Sequence, residues 1–427
     1  MVREIQLPYG DGALEFRIPE ANLTGIYAPQ SVAACGDPVA EILRALTHPL
    51  DTPVLPQIVR PGEKVVILVD DHTRVTPVAQ ILPLLLEQLR AGGVRDEDVT
   101  LLITHGTHRL STVDEVRRKV GEDVYGRFRV VQHQCTDEGN QVYLGLTSRG
   151  TPVWINRLVV EADRRIGVGH VGPSPYAGYS GGRKLIIPGV ASLDTVNANH
   201  SLVAVGFRQP GRVDVPCRLD IDEGAALVRL DMVVDVVLCQ DERIARAFAG
   251  TPERVYQEGV RLARQVYEVA CPDELDVAIT SGYPYEIDLY QAVRAVEYAD
   301  TVVRTGGSIL LVSACPDGVG GEEFYGLMAD RTKTPDDFLR DVVRRNGKVT
   351  FSVLGYGLAR IKAEKKLYIV TDGIPGVELE AMGFHHVASL QAGVDALLRE
   401  YGPQARVGVF PAGSSTIPSV TRPYSRV

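Results

Sequence analysis

The sequence predicts an α/β protein of two domains, each built on a mainly parallel sheet flanked by helices. Three observations predict it. Short β-rich apolar runs alternate with longer helical stretches along the 427 residues, the pattern of strand, crossover helix and parallel strand. The runs read as strands buried on both faces rather than as half-exposed ones. The alternation also comes as two series joined by the helix-like stretch Pro252–Val269, which sets a first domain over residues 1–270 and a second over 271–427.

Up to about Val59 the chain contains extended pieces, REIQLPYG and LEFRIPE. Lys64–Val69 then reads as a strand and Pro77–Leu89 as a helix, closed by Gly92-Gly93. Val99–Thr104 is a strand, Val113–Val120 a helix, and Phe128–Gln132, Arg164–Gly169 and Asp231–Leu238 are further strands. In the second series Asp276–Thr280, Ser308–Ser313, Thr350–Val353 and Leu367–Thr371 read as strands. Asp288–Arg304, Thr334–Arg345 and Leu390–Tyr401 are the helices between them. The Pro-, Ser- and Gly-rich tail, residues 411–427, is expected to return to the first domain.

A net charge of -9 with 45% hydrophobic and 23% charged residues describes an ordinary globular chain. It lacks the basic excess of a general nucleic-acid binder. No run of about 18 apolar residues appears, and MVREIQLPYGDG lacks the apolar core of a secretory signal. The expected location is the cytoplasm, with neither membrane nor nucleic acid as partner. The six cysteines lie far apart and form no CxxC pair, which argues against a disulfide framework or a structural zinc site.

Ligands of open α/β sheets sit at the C-terminal ends of the strands, and the unusual polar residues fall there. After VVILV comes Asp70-Asp71-His72-Thr73-Arg74, and after VTLLIT comes His105-Gly106-Thr107-His108-Arg109. After RRIGVG come His170 and Gly172-Pro173-Ser174-Pro175-Tyr176. Each segment alone has a plain structural reading: a helix cap, surface charge, or a solvated histidine pair. Their coincidence at one sheet edge favours a site. In YAGYSGGRKLIIP, Ser180-Gly181-Gly182 lets backbone N–H groups approach an anion, with Arg183 and Lys184 adding charge. It is neither a Walker loop nor a GxGxxG turn. Lys184 reads equally as a surface lysine or as an amine used covalently, and His200 as a helix cap or a metal ligand.

Together, DHTR (Asp71 to Arg74), GTHR (Gly106 to Arg109), AGYSGGRK (Ala177 to Lys184) and Asn199-His200 resemble the lactate racemase family. GYPYEIDLYQAVR (Gly282 to Arg294) and CPDGVGGEEFY (Cys315 to Tyr325) extend the resemblance to about residues 60–330. It implies an isomerase that inverts a 2-hydroxy acid by reversible hydride transfer to a nickel-pincer nucleotide, a pyridinium mononucleotide whose two sulfur-bearing groups grip nickel. Lys184 would carry this cofactor covalently and His200 would supply the nickel's protein nitrogen. Tyr176, Ser180, Gly181, Gly182 and Arg183 would surround it. His108 matches a catalytic histidine, while Asp71, Arg74 and Gln291 match residues about the cofactor and substrate. The site is expected in the cleft between the domains, with cofactor-synthesis proteins as suppliers of the nickel pincer.

Two departures bear on the substrate. The family's lactate racemases have a second catalytic histidine in a Pro-His pair, where this chain has Pro173-Ser174; His170 is the candidate substitute. Where they have QAVK, this chain has Gln291-Ala292-Val293-Arg294, and arginine offers carboxylate a planar fork that lysine lacks. Both point to a 2-hydroxy acid other than lactate, with Ser174, Gln291 and Arg294 beside it. The alternatives are an oxidoreductase of the same family that releases the 2-keto acid, and a non-catalytic protein binding a phosphorylated ligand.

Overall fold

The computed structural model describes residues 1–205, 210–271 and 274–420. They divide into two units: Ser31–Val266, and Met1–Gln30 with Tyr267–Val427.

The first unit is built on a six-stranded sheet in the order Ile244–Gly250, Met232–Leu238, Arg164–His170, Val65–Asp70, Val99–Thr104, Arg129–Gln132. Only the first of these pairs antiparallel with its neighbour. Every residue of Val65–Asp70 and of Met232–Leu238 is buried, because helices cover both faces of a parallel sheet. Ile67, Val69, Leu101, Ile103, Val168 and Val234 share one core cluster with Leu82, Leu85 and Leu89 of the helix Val78–Ala91. The helix Val113–Val120 starts where Thr112 and Glu115 form a reciprocal capping box. Strand order reverses at Val65–Asp70, whose neighbours are the next strand in the chain on one side and Arg164–His170 on the other. Such a switch point opens a crevice at the C-terminal strand ends. Asp70 and His170 end the two strands that flank it.

The second unit carries a six-stranded, wholly parallel sheet in the order His385–His386, Lys366–Val370, Val303–Val312, Leu275–Ser281, Val407–Phe410, Leu23–Ile26. Three features depart from the sequence expectation. Residues 1–30 pack with this unit rather than with the first. Leu23–Ile26 is its edge strand, and the hairpin Val2–Tyr9 with Gly12–Pro19 packs Ile5, Leu7, Phe16 and Ile18 against Ile279, Leu310 and Val409. A pairing between chain ends leaves no local periodicity to read. The tail through Val420 also stays in this unit, as Ile417–Val420 pairs with Glu268–Cys271; residues 421–427 lie outside the described residues. Thr350–Val353 is not a strand but part of the helix Val349–Glu364. Residues 349–355 of that helix are buried all round, and a short continuous apolar run does not distinguish a buried helix from a strand.

Ile18→Ala should therefore destabilise the second unit by roughly 2–5 kcal/mol, the cost of emptying a core position. Amide exchange should quicken in Leu275–Ser281 and Val407–Phe410; unchanged protection there would show that the hairpin does not support this sheet.

Candidate active site

Asp71 follows the Val65–Asp70 strand at the switch point and is 1% exposed. Its Oδ1 accepts from the Thr73 amide at 2.9 Å and the Thr73 hydroxyl at 2.5 Å. Its Oδ2 lies 2.6 Å from His108 Nδ1 and 3.6 Å from His105 Nδ1. Burial alone would raise the Asp71 carboxyl, but the two imidazoles and the Arg74 guanidinium hold it well below the usual carboxylate range. Asp71 is thus an anion in the folded protein. Arg74 Nη1 donates to Thr73 Oγ1 at 2.8 Å, so Asp71, Thr73, Arg74 and His108 form one cluster. The His108 side chain is 17% exposed. Burial lowers its pKa although Asp71 opposes the shift. A neutral imidazole that donates Nδ1–H to Asp71 keeps Nε2 as its basic nitrogen.

His170, the other candidate base, belongs to a second buried group. Its Nδ1 lies 2.6 Å from Thr76 Oγ1 and 3.5 Å from Asp70 Oδ2. Asp70 in turn pairs with Lys119 Nζ at 2.6 Å. Burial lowers the His170 pKa despite that carboxylate.

The motif segment folds back across the strand ends. Pro173–Ser174 pairs antiparallel with Gly178–Tyr179. The Ser180 hydroxyl donates to the His170 carbonyl at 2.9 Å and accepts from the Gly172 amide at 2.9 Å, tying the segment's two ends. Gly181 has φ +88°, and a Cβ there would meet Asp235 Oδ2 at 2.7 Å, so no other residue fits. The Gly182 amide donates to Asp235 Oδ2 at 2.7 Å. In the turn expected to cradle an outside anion, the Gly182 amide is thus taken by a carboxyl of the protein itself. Arg183 pairs with Glu253 and donates to the Asp222 carbonyl at 3.1 Å. The half-buried Lys184 donates from Nζ to Ser174 Oγ at 3.0 Å. Ser174, where a second base is expected from the family pattern, is buried and hydrogen-bonded to the motif lysine.

His200 lies on the helix Leu193–Ser201. It is 8% exposed, its Nδ1 makes no hydrogen bond of good geometry, and its ring lies perpendicular to that of Tyr176 with centroids 5.6 Å apart. Burial and then the Lys184 charge push its pKa down to about 3, against the Val196 backbone one helical turn earlier, which favours the charged form; His108 lowers it further by a smaller amount. His200 is therefore within electrostatic reach of Lys184 and, more weakly, of His108. A neutral imidazole with an unsatisfied buried nitrogen suits a metal ligand. The neighbouring Asn199 anchors the helix, donating to Asp220 Oδ2 at 2.8 Å and to the Cys217 carbonyl at 3.0 Å. Among the described residues no three or more His, Cys, Asp or Glu side chains are placed to share a metal. His200 thus offers one ligand to a metal that brings others, and Lys184 offers an amine beside it; these residues fit a lysine-borne metal group.

Gln291 and Arg294 lie in the other unit, after the Leu275–Ser281 strand. Arg294 Nη2 donates to Gln291 Oε1 at 2.6 Å, and its guanidinium stacks 4.1 Å above the Tyr285 ring. The two side chains act as one positioned pair.

The strand-end segments contain His105, whose Nε2 sits 2.9 Å from Gln132 Oε1, and Thr73, but the sequence assigned neither a role; Thr76, Asp220 and Asp235 were missed. A carboxylate inside MVVDVVL was the available signal, since a buried charge needs a partner.

The geometry predicts that His108 titrates below 6.5 and lower still in Asp71→Asn, where the favouring anion is gone. Imidazole proton shifts against pH test this; an upward move in Asp71→Asn would contradict the pairing.

Residues 9–209 match the family model of the lactate racemase N-terminal domain, and residues 270–418 match that of the C-terminal domain. The chain is 31% identical over 376 residues to the lactate racemase of Thermoanaerobacterium thermosaccharolyticum, covering 86% of this chain and 88% of that one. It is 30% identical over 423 residues to the lactate racemase of Lactiplantibacillus plantarum, covering 97% and 99%. The solved structure of the T. thermosaccharolyticum lactate racemase apoprotein superposes with a TM-score of 0.88 at 30% identity, covering 98% of this chain and all of that one. A Thermotoga maritima protein shares the fold at a TM-score of 0.73 and 17% identity, over 92% of this chain and 100% of its own. The chain belongs to the lactate racemase family and is an isomerase of the racemase type.

Proposed function

We propose that the protein racemises or epimerises a 2-hydroxy acid other than lactate, using a nickel-pincer nucleotide bound through Lys184 with His200 as the metal's protein ligand. The observation that carries this reading is a half-buried motif lysine whose charge is felt by a buried histidine that burial keeps neutral and whose Nδ1 makes no hydrogen bond of good geometry. When bound, the group supplies a hydride acceptor, so that carbon 2 of the acid becomes trigonal and can be rebuilt with either hand. His108 Nε2 takes the proton of the substrate hydroxyl and later returns it. Asp71 fixes the His108 tautomer and stabilises the imidazolium formed. Arg74, held on Thr73, places positive charge beside the same cluster. The Arg294 fork, steadied by Gln291 and Tyr285, is proposed to grip a substrate carboxylate. A cytoplasmic location accords with the absence, among the described residues, of a helix long and apolar enough to cross a membrane.

Ser174 favours a second reading. Its hydroxyl accepts from Lys184 and has no basic partner of the kind that makes serine a proton acceptor. Return of hydrogen to the second face would then be slow and the 2-keto acid would escape, and the two electrons left behind would have to pass to an external two-electron acceptor before the next turnover.

A screen of 2-hydroxy acids on nickel-pincer-loaded protein, resolved by chiral chromatography, separates the two. With a two-electron acceptor dye added, racemisation with little keto acid supports the first; keto acid as the main product, with the dye reduced in step, supports the second. Lys184→Ala should lose the cofactor adduct by intact mass, and His200→Ala should lose nickel while keeping its fold. Full activity in either variant would sink the proposal. For the accepted acid, Arg294→Lys should raise KM by the equivalent of roughly 1.5–3 kcal/mol, a charged hydrogen bond's worth; an unchanged KM would remove Arg294 from the substrate.

A further inference from the structure

Asp235 is the most unusual residue of the first unit. It stands in the middle of the Met232–Leu238 strand, is 0% exposed, and has only apolar neighbours in MVVDVVL. Among the described residues no cation is hydrogen-bonded to it. Oδ2 accepts from the Gly182 amide at 2.7 Å, and Oδ1 meets no hydrogen-bond partner. Burial, with Asp70 adding to it, pushes the carboxyl up to about 7. An apolar residue would pack here at lower cost, so the carboxyl answers to something other than the core.

What it touches is the turn that carries Lys184. In the parallel register Asp235 stands opposite Gly169, where an added Cβ would come within 2.9 Å of Oδ1. Gly181, across Oδ2, leaves the room that lets the Gly182 amide reach the carboxylate. On its far side Gly182 faces Tyr256, whose Cβ lies 3.5 Å from the position a Gly182 Cβ would take. Two residues on, Lys184 meets Ser174.

We propose that Asp235 is a positioning residue: its carboxylate seats the Gly181-Gly182 turn on the sheet and thereby sets where the Lys184 amine is presented for cofactor attachment. This rests on the proposed reading of Lys184 as the attachment point. The device is one hydrogen bond with two glycines making room for it. It holds a short helical turn, Gly182–Leu185, that has no side-chain cap of its own.

The test uses full-length protein without cofactor or substrate, so it stands whether or not racemisation is ever found. Three quantities are read: amide exchange in the peptide spanning residues 181–185, the rate at which an N-hydroxysuccinimide acetate acetylates Lys184, and thermal stability. In Asp235→Val, exchange should be roughly tenfold faster, as loss of one backbone hydrogen bond allows. Lys184 acetylation should quicken in step, while stability should not fall, because valine suits the strand. Asp235→Asn retains an acceptor oxygen and should behave as the wild type in exchange and acetylation. If Asp235→Val does not fold, Asp235→Ala is read in its place. Wild-type exchange and acetylation in the Val or Ala variant would overturn the proposal. So would an Asn variant as loose as the Val variant, or failure of both Val and Ala variants to fold, which would make Asp235 a general core residue.

Discussion

The site depends on one buried anion. Asp71 sits where the strand order of the first sheet reverses, and it is held ionised by His105, His108, Arg74 and the Thr73 amide and hydroxyl. A lone carboxylate in such a place would take up a proton. Ionised, it orients His108 through Nδ1 and keeps the other nitrogen basic. The loop geometry of residues 71–74 and 105–108 follows from satisfying this one charge.

The buried histidines have sorted roles. His133 is bonded on both nitrogens, to the Ala191 carbonyl at 3.0 Å and to Asn156 at 3.1 Å, and is structural. His170 is engaged by Thr76 and Asp70. His200 alone among these three has a buried nitrogen without a partner, and it stands within reach of the Lys184 charge. His105 Nδ1 also lacks a hydrogen bond, but it faces Asp71 Oδ2 at 3.6 Å, whereas His200 faces the Lys184 charge.

Much of this was legible in the sequence, for reasons that particular residues make plain. Val113–Val120 carries its own start signal in Thr112 and Glu115, and the structure gives the same bounds. The polar residues after VVILV and VTLLIT could be placed because strand ends in parallel sheets gather ligands. The sequence places the N-terminal hairpin with the first domain, whereas its apolar face finds its partners in the second half of the chain. Thr350–Val353 was misread because burial on every side erases periodicity. The Ser180–Gly182 turn shows a further limit. Its glycines suggest an anion, and the fold shows that the Gly182 amide is given to the Asp235 carboxyl.

The central claim is that His108, oriented by Asp71, moves a proton at the substrate hydroxyl while the hydrogen on carbon 2 never becomes a solvent proton. Racemisation of a 2-hydroxy acid deuterated at carbon 2, run in ordinary water with the loaded enzyme, tests it directly. The account predicts that the inverted product retains its deuterium by mass spectrometry. Product of opposite hand that carries solvent hydrogen at carbon 2 would mean that the site abstracts a proton from carbon, and would contradict it.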